Sequence, residues 1–227
     1  MLVVRRLSRS YREGGRVQRV LEAVDLDMAG GASLAIIGRS GTGKSTLLNL
    51  LSGIDRPESG TIELDGRDIG ALREPALTRF RRENIGFVHQ FFNLIPTLSA
   101  EENVRLALEL NGVRGAEARR RTREMLARVG LADRLASEVD RLSGGERQRI
   151  AIARALVHEP RLVLADEPTG NLDVATTAEI VPLLTALVRG RGAMLLMVTH
   201  DRALAAAADR VLELREGRLC EARAATG

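Results

Sequence analysis

One eight-residue motif constrains this chain more than any other feature of its sequence. Residues 38–45 read GRSGTGKS, a complete match to the pattern G-x-x-x-x-G-K-[ST]. They follow the apolar run Ser33–Ile37 and precede the helix-like run Thr46–Leu51. A strand, a glycine-rich turn and a helix in this order form a loop whose backbone N–H groups surround phosphate groups. The glycine spacing differs from the dinucleotide pattern G-x-G-x-x-G, so the motif predicts binding of a nucleoside triphosphate.

The basic residues support this interpretation. Of the 34 basic residues, 33 are arginine, and the only lysine, Lys44, lies inside the motif. Arginine is a broad planar fork and lysine a compact point charge, so a tight phosphate pocket can require the second. We interpret Lys44 as the contact to the β- and γ-phosphates and Ser45 as a ligand of Mg²⁺. Chance placement of the single lysine is the alternative.

Composition is that of an ordinary soluble or peripheral protein, with 44% hydrophobic and 28% charged residues. No apolar run is long enough to predict a signal peptide or a membrane span. The single cysteine, Cys220, excludes an internal disulfide. The basic cluster around Arg119–Arg121 has no interleaved aromatic residues, so a solvated helix over residues 116–128 that ends at Gly130 is favoured over nucleic-acid binding.

Hydrophobic patterns predict an α/β fold. An N-terminal antiparallel β layer is indicated by short strand-like runs at Leu2–Leu7, Val20–Met28 and Thr61–Leu64. A mainly parallel sheet, covered on both faces, is indicated by apolar runs at Ser33–Ile37, Ile85–Val88, Leu162–Ala165 and Met194–Thr199. Between Phe91 and Pro160 the sequence pattern is mostly helical. We therefore expect a single domain over 1–227, with a P-loop NTPase core at about 1–90 and 158–227 and an inserted α-helical lobe at about 91–157.

A chemically suggestive residue follows each buried strand. Beyond the phosphate loop these are Gln90, Asp166 with Glu167, and His200. Ligands of parallel sheets bind beyond the carboxyl ends of the strands, so these residues are expected at one edge. Asp166 would hold Mg²⁺ through its hydration shell, and Glu167 would orient and deprotonate the water that attacks the γ-phosphate.

A second glycine-rich segment, residues 142–148, reads LSGGERQ. Ser143 and Glu146 have the spacing of a capping box at a helix N-terminus. The same helix end, preceded by glycines, is also an anion site with free N–H groups. Both interpretations can hold together. Because one nucleotide does not need two such sites from one chain, we expect a head-to-tail dimer in which residues 143–145 contact the nucleotide held by Lys44 of the other copy.

With these motifs the chain resembles the ATP-binding subunits of ABC transporters, from Tyr11 to His200. The resemblance implies that Gln90 contacts Mg²⁺ and senses a membrane partner, and that Asp173 lies at the dimer seam. It also implies that His200 hydrogen-bonds the γ-phosphate and that Tyr11, expected in an Arg- and Gly-rich loop, stacks on adenine. The alternatives are that Gln90 and Asp173 are ordinary loop residues, that His200 is a core histidine and that Tyr11 is an exposed tyrosine without a ligand.

The expected cofactors are ATP and Mg²⁺. The expected ATP-binding residues are Tyr11, Gly38, Arg39, Ser40, Gly41, Thr42, Gly43, Lys44, Ser45, Thr46, Ser143, Gly144, Gly145 and Asp173. The expected catalytic residues are Lys44, Gln90, Glu167 and His200, and the expected metal ligands are Ser45, Gln90 and Asp166. Phe91 and Phe92 are either core residues or the lining of a groove for a partner helix.

The segments GRSGTGKSTLLNLLSGIDRPESG, GFVHQFFNLIPTLSAEENV and LVLADEPTGNLD most resemble the group that serves lipoprotein release and macrolide export. That resemblance implies an ATPase that dimerises with ATP and powers a separate permease, at the cytoplasmic face of the inner membrane. The alternative is a regulatory ATPase that signals through a membrane partner, as the related cell-division ATPase does. A DNA-repair ATPase is disfavoured, because only 99 positions separate Lys44 from Ser143 and no coiled coil intervenes.

Overall fold

The computed structural model describes residues 1–222, except for the side chains of Glu13 and Arg16. The strands are β1 Leu2–Glu13, β2 Arg16–Met28, β3 Ser33–Ile37, β4 Ser59–Leu64, β5 Arg67–Asp68, β6 Ile85–Val88, β7 Leu162–Asp166, β8 Met194–Thr199, β9 Arg210–Arg215 and β10 Arg218–Glu221. The helices are α1 Lys44–Leu51, α2 Ala76–Asn84, α3 Ala100–Leu110, α4 Gly115–Arg128, α5 Gly144–Leu156, α6 Val174–Arg189 and α7 Arg202–Ala205, with a 3₁₀ turn at Val139–Arg141. None of the helices in this described part of the chain is both long and apolar enough to cross a bilayer.

The described residues form two compact units. Residues 1–81 and 194–222 make the first, and residues 82–193 make the second. The second unit therefore begins before, and ends after, the helical lobe expected at about 91–157. In the second unit α5 packs so closely on β6 that a Cβ at Gly86 would lie only 2.2 Å from the carbonyl oxygen of Ala155. This close approach joins the helices to β6 and β7 in one unit.

The first unit contains the predicted antiparallel layer, in the strand order β2-β1-β4-β5. Leu2 lies opposite both Met28 and Leu64, and all three side chains are buried. β1 and β2 are longer than predicted because Gly14 and Gly15 have φ values of 56° and 79°. These values suit a tight two-residue hairpin turn, so the polar residues before and after it continue the strand pairing.

The first unit also contains β3, whose five residues are all buried. β3 pairs in parallel with both β8 and β9, while β10 is antiparallel to β9. β3, β6 and β8 have the predicted bounds, and β7 extends one residue further to Asp166. Continuous apolar runs of four to six residues identified these strands because both faces of a parallel sheet are covered.

The second unit pairs β6 in parallel with β7 and contains α3 to α6. Its helices begin and end at residues that the sequence marks. Ser143 caps α5 with a complete capping box, as predicted. After α4, Gly130 has a φ of 78°, and the N–H groups of Gly130 and Leu131 donate to Ala127 and Leu126. This hydrogen-bond pair terminates the helix at the predicted glycine.

Candidate active site

The phosphate loop joins β3 to α1 in the first unit. Gly43 has a φ of 101°, and a Cβ at this position would lie 2.5 Å from Val20 Cγ1, so both backbone conformation and space require glycine. Gly43 is also the N-cap of α1, and no side chain caps the helix. The N–H groups of the first turn are therefore available to an anion, with the positive end of the helix dipole behind them.

Lys44 is the first residue of α1 and only 8% exposed. Its Nζ donates to the carbonyl oxygens of Gly38 and Arg39 at 2.8 and 3.0 Å. The loop thus folds around the ammonium group and fixes its position at the start of the helix. A buried cation next to uncapped N–H groups makes this loop a strong site for phosphate.

His200 lies at the same sheet edge as this loop. β3 and β8 run in parallel, with Ile37 opposite Thr199, so Gly38 and His200 leave the sheet side by side. His200 is exposed, which removes the alternative that it is a core histidine. The first unit therefore brings the predicted γ-phosphate ligand next to the phosphate loop.

Tyr11 lies in β1 opposite Gln18, so the prediction that it lies in a loop was wrong. The hairpin turn extends the strand past this residue. The Tyr11 hydroxyl donates to Asp55 Oδ2 at 2.8 Å, and the Arg9 guanidinium lies 4.8 Å from the ring centroid. Arg9 in turn donates to Asp55 Oδ1 at 2.9 Å. These long-range partners, which the sequence did not predict, hold a ring that is 38% exposed.

The predicted carboxylates lie in the second unit at the carboxyl end of β7. β6 runs parallel to β7 with Val88 opposite Ala165, so the segments that contain Gln90 and Asp166 leave the sheet at neighbouring positions. Glu167 has a φ of 44°, uncommon for a residue with a side chain. Its carbonyl accepts a hydrogen bond from the N–H of Gly170 at 3.0 Å. Backbone strain of this kind is concentrated at functional positions.

Gln90 is held against the turn that follows β7. Asn171 Nδ2 donates to the Gln90 carbonyl oxygen at 2.8 Å. A Cβ at Gly170 would lie 2.8 Å from Gln90 Nε2, so the turn can approach the glutamine side chain only with glycine there. The second unit therefore brings together the two loops that the sequence assigned to metal binding and to the dimer seam.

Arg154, which the sequence analysis missed, fixes the chain beyond Gln90. Its guanidinium donates to the carbonyl oxygens of Phe92 and Asn93 at 2.8 and 2.6 Å, and burial lowers the Arg154 pKa. Phe92 and Asn93 both have positive φ, so Arg154 holds a sharp turn. Phe91, at its start, is 70% exposed and is therefore not a core residue.

Residues 143–145 are the N-cap and the first two residues of α5. Glu146 N–H donates to Ser143 Oγ at 3.2 Å, and Ser143 N–H donates to Glu146 Oε2 at 2.8 Å. The Ser143 N–H lowers the Glu146 pKa. A Cβ at Gly145 would lie 2.7 Å from Thr176 Cγ2, so the turn packs closely on α6.

Asp173 is the N-cap of α6. Its carboxylate accepts hydrogen bonds from Thr176 N–H and Oγ1, both at 2.8 Å, and the first of these lowers the Asp173 pKa. Asp173 therefore has a structural role as a cap, whether or not it also contacts a nucleotide. Through Thr176 it is linked to Gly145, so these predicted dimer residues form one packed cluster.

Comparison with known protein families identifies the family of this chain. The family model for ABC transporters matches residues 21–170. The chain belongs to the ABC transporter family. It is 48% identical over 221 residues to the lipoprotein-releasing system ATP-binding protein LolD of Chromohalobacter salexigens, covering 97% of this chain and 93% of that protein. It is 46% identical over 219 residues to the uncharacterized ABC transporter ATP-binding protein YvrO of Bacillus subtilis, covering 96% and 95%.

Solved structures confirm the predicted fold class. A dimeric structure of the ATP-binding cassette MJ0796 in a post-hydrolysis state, bound to ADP and Pi, superposes with a TM-score of 0.88 at 38% identity. The match covers 99% of this chain and 100% of that one. The chain is thus an ABC-type ATP-binding subunit that hydrolyses ATP, as we predicted from the sequence.

Proposed function

We propose that this ABC ATPase powers a separate permease that releases lipoproteins from the inner membrane. The observation that supports this cargo class is the 48% identity, over 97% of the chain, to a lipoprotein-releasing system ATP-binding protein. Its place of action would be the cytoplasmic face of the membrane, where ATP is available.

In the first unit, the loop residues 38–46 would bind the phosphates of ATP. The ammonium of Lys44 would bridge the β- and γ-phosphates, and the first-turn N–H groups would donate to their oxygens. Tyr11 would stack on adenine with its free face, because Arg9 covers the other. His200 would donate to the γ-phosphate.

In the second unit, Glu167 would act as the general base. Its carboxylate would accept a proton from water as the water oxygen attacks the γ-phosphorus and ADP leaves. The loop that Arg154 and Asn171 hold would position Gln90 beside that water. The positive φ of Glu167 sets the direction in which its side chain leaves β7.

The donor set fits Mg²⁺. Ser45 in the first unit offers a hydroxyl oxygen, and Gln90 and Asp166 in the second unit offer amide and carboxylate oxygens, the kinds of ligand that Mg²⁺ prefers. Among residues 1–222 no group of three or more His, Cys, Asp or Glu side chains is arranged to hold a metal. When bound, Mg²⁺ would neutralise charge on the β- and γ-phosphates.

Residues 143–145 and Asp173 would contact the nucleotide held by a second copy of the chain. The packed cluster that these residues form with Thr176 supports this role, because one rigid surface can then present several N–H groups at once. MJ0796, with the same fold, is a dimer. Two identical chains with such shared sites close into a two-fold dimer.

Purification from membranes tests the proposal. Affinity-tagged chain from detergent-solubilised membranes should retain a permease, and the reconstituted complex should release a lipoprotein only with ATP. The regulatory alternative would be favoured if the chain retained a permease that changes its ATPase rate but the complex released no lipoprotein. Recovery of the chain without a membrane protein would contradict both.

The exposed Phe91 tests where the permease docks. Phe91→Ala should leave the ATPase rate of the isolated chain unchanged and weaken its stimulation by the permease by about tenfold, since an exposed aromatic residue is a common binding hot spot. Ile54→Ala is the matched control, because Ile54 is a similarly exposed apolar residue in the first unit. Equal stimulation of both variants would place the docking surface elsewhere.

A further inference from the structure

A cavity of about 330 Å³ lies in the second unit, between α4 and the turns that follow α5 and α6. Its size is at the lower end of the range for ligand pockets, roughly 300–1,000 Å³. None of the residues proposed to bind ATP or Mg²⁺ lines it. The cavity is therefore not explained by the ATPase motifs.

The carboxylates that α4 contributes to the cavity are already paired. Arg120 donates to Glu117 Oε1 at 2.8 Å and to Glu124 Oε1 at 2.7 Å, and Arg120 lowers the Glu117 pKa. The cavity's remaining carboxylate, Glu159, lies 3.3 Å from Arg121 Nη2, which also donates to the Val157 carbonyl oxygen. All three acidic side chains are therefore committed to Arg120 or Arg121.

Arg128 and Arg191 are left without such partners. Within residues 1–222 neither guanidinium has a carboxylate within ion-pair distance. Arg191 Nη1 is buried and has no hydrogen-bond partner in this part of the chain. Burial, together with repulsion by Arg128 and Arg121 that outweighs the attraction of Glu159, lowers the Arg191 pKa. A buried N–H group without a hydrogen-bond partner costs free energy, which an anion in the cavity would recover.

We propose that Arg128 and Arg191, supported by Arg121, form a phosphate-binding site distinct from the nucleotide site. The two guanidinium groups come from different segments, the end of α4 and the turn after α6. One planar fork satisfies the two oxygens of a carboxylate, whereas a phosphate group has further oxygens for a second fork. Free phosphate and the headgroup of an acidic phospholipid share this chemistry.

Calorimetric titration with inorganic phosphate tests the site directly. The chain is first saturated with Mg²⁺ and a non-hydrolysable ATP analogue, so that phosphate does not enter the catalytic site, and chloride at equal ionic strength is the blank. Wild-type chain should bind one phosphate, and Arg191→Gln and Arg128→Gln should each weaken binding at least about tenfold. Arg119→Gln, the same change at an exposed position of α4 that does not line the cavity, should bind like wild type.

Thermal melting separates ligand binding from a structural role of Arg191. Phosphate should raise the melting temperature of wild type more than chloride does, and it should not do so for Arg191→Gln. Without phosphate, Arg191→Gln should melt no lower than wild type, because the variant removes an unpaired charge. A melting temperature lowered equally with and without phosphate would make Arg191 a structural residue and overturn the proposal.

Vesicles distinguish the two sources of the phosphate group. Binding to phosphatidylglycerol vesicles that Arg191→Gln abolishes, with no binding to phosphatidylcholine alone, would identify a lipid headgroup. Binding of free phosphate without vesicle binding would identify a soluble ligand, and either result supports the site. Binding of neither, or of an acidic peptide lacking phosphate instead, would overturn it.

Discussion

The N-termini of α1 and α5 are built differently, although each lies in a glycine-rich segment. α1 begins after Gly43, has no side-chain cap and starts with the buried cation Lys44. α5 begins after Ser143, whose hydroxyl occupies one N–H group, and it carries the carboxylate of Glu146 in its first turn. α1 therefore provides more donors and a positive charge, and it can bind phosphate without help.

α5 is better suited to complete a site than to create one. The carboxylate of Glu146 repels an anion near the remaining N–H donors, so we expect these donors to bind an anion well only when another group also holds it. In the proposed head-to-tail dimer, the strong site of one copy would hold ATP, and the weak site of the other copy would close on it.

The largest expected effect comes from replacing Lys44, the buried cation at the start of α1. Lys44→Arg should lower the ATPase rate by about 10²–10³-fold, the usual cost of losing one positioned donor, because a planar guanidinium does not fit where the loop encloses an ammonium. ATPase assays of purified protein measure this. Arg119→Lys, the opposite exchange on an exposed helix face, is the control and should be fully active. Near-normal turnover of Lys44→Arg would show that charge alone suffices.

The second effect separates capping from ligand binding at α5, and the chain contains its own control. Ser99 caps α3 with an equivalent capping box, but Ala100 and Glu101 follow it instead of two glycines. Ser143→Ala and Ser99→Ala should each cost about 0.5–2 kcal/mol of unfolding free energy.

Only Ser143→Ala should also weaken ATP-dependent association, which sedimentation or light scattering measures. If both variants associated as strongly as wild type, Ser143 would be only a helix cap. Weakened association of both would mean that helix stability, and not the nucleotide, controls the dimer.

The smallest effect is a pH dependence that the two capping boxes share. Hydrogen bonds from Ser143 hold the Glu146 pKa below its ordinary 4.5, and Ser99 does the same for Glu102. A lowered pKa means that the ionised carboxylate stabilises the fold above about pH 4.5 and that this stability is lost as pH falls through the folded-state value.

Glu146→Gln keeps the hydrogen-bonding pattern but cannot titrate. Its melting temperature should therefore lie below that of wild type at pH 7 and converge on it as the pH falls through the folded-state pKa of Glu146, with a difference smaller than that of Ser143→Ala. Melting curves across this range give the answer. A difference in melting temperature that stays constant with pH would show that ionisation of Glu146 does not contribute to stability.

The sequence predicted elements whose signal is local. β3, β6 and β8 are continuous apolar runs, and the cap of α5 follows from two residues three positions apart. The partners of Tyr11 and of the loop after Gln90 could not be predicted. Asp55 is 44 residues from Tyr11, and Arg154 is 62 residues from Phe92, so no spacing in the sequence indicates these contacts.

The same limitation explains the wrong loop assignment of Tyr11. Polar residues around it resemble a loop, and only pairing with β2 makes them a strand. The cavity lined by Arg128 and Arg191 is likewise visible only after folding, because in an arginine-rich chain neither residue is distinctive.

Light scattering of Glu167→Gln with MgATP tests the central claim, that α1 of one copy and α5 of the other share each nucleotide. Without the proposed base, Glu167, the variant should bind ATP and hydrolyse it about 10²–10⁴-fold more slowly. Uncleaved ATP then stabilises the dimer by mass action, so the mass should be twice the 24.7 kDa of one chain. With MgADP it should return to the monomer value. A monomer at saturating MgATP would contradict the shared site.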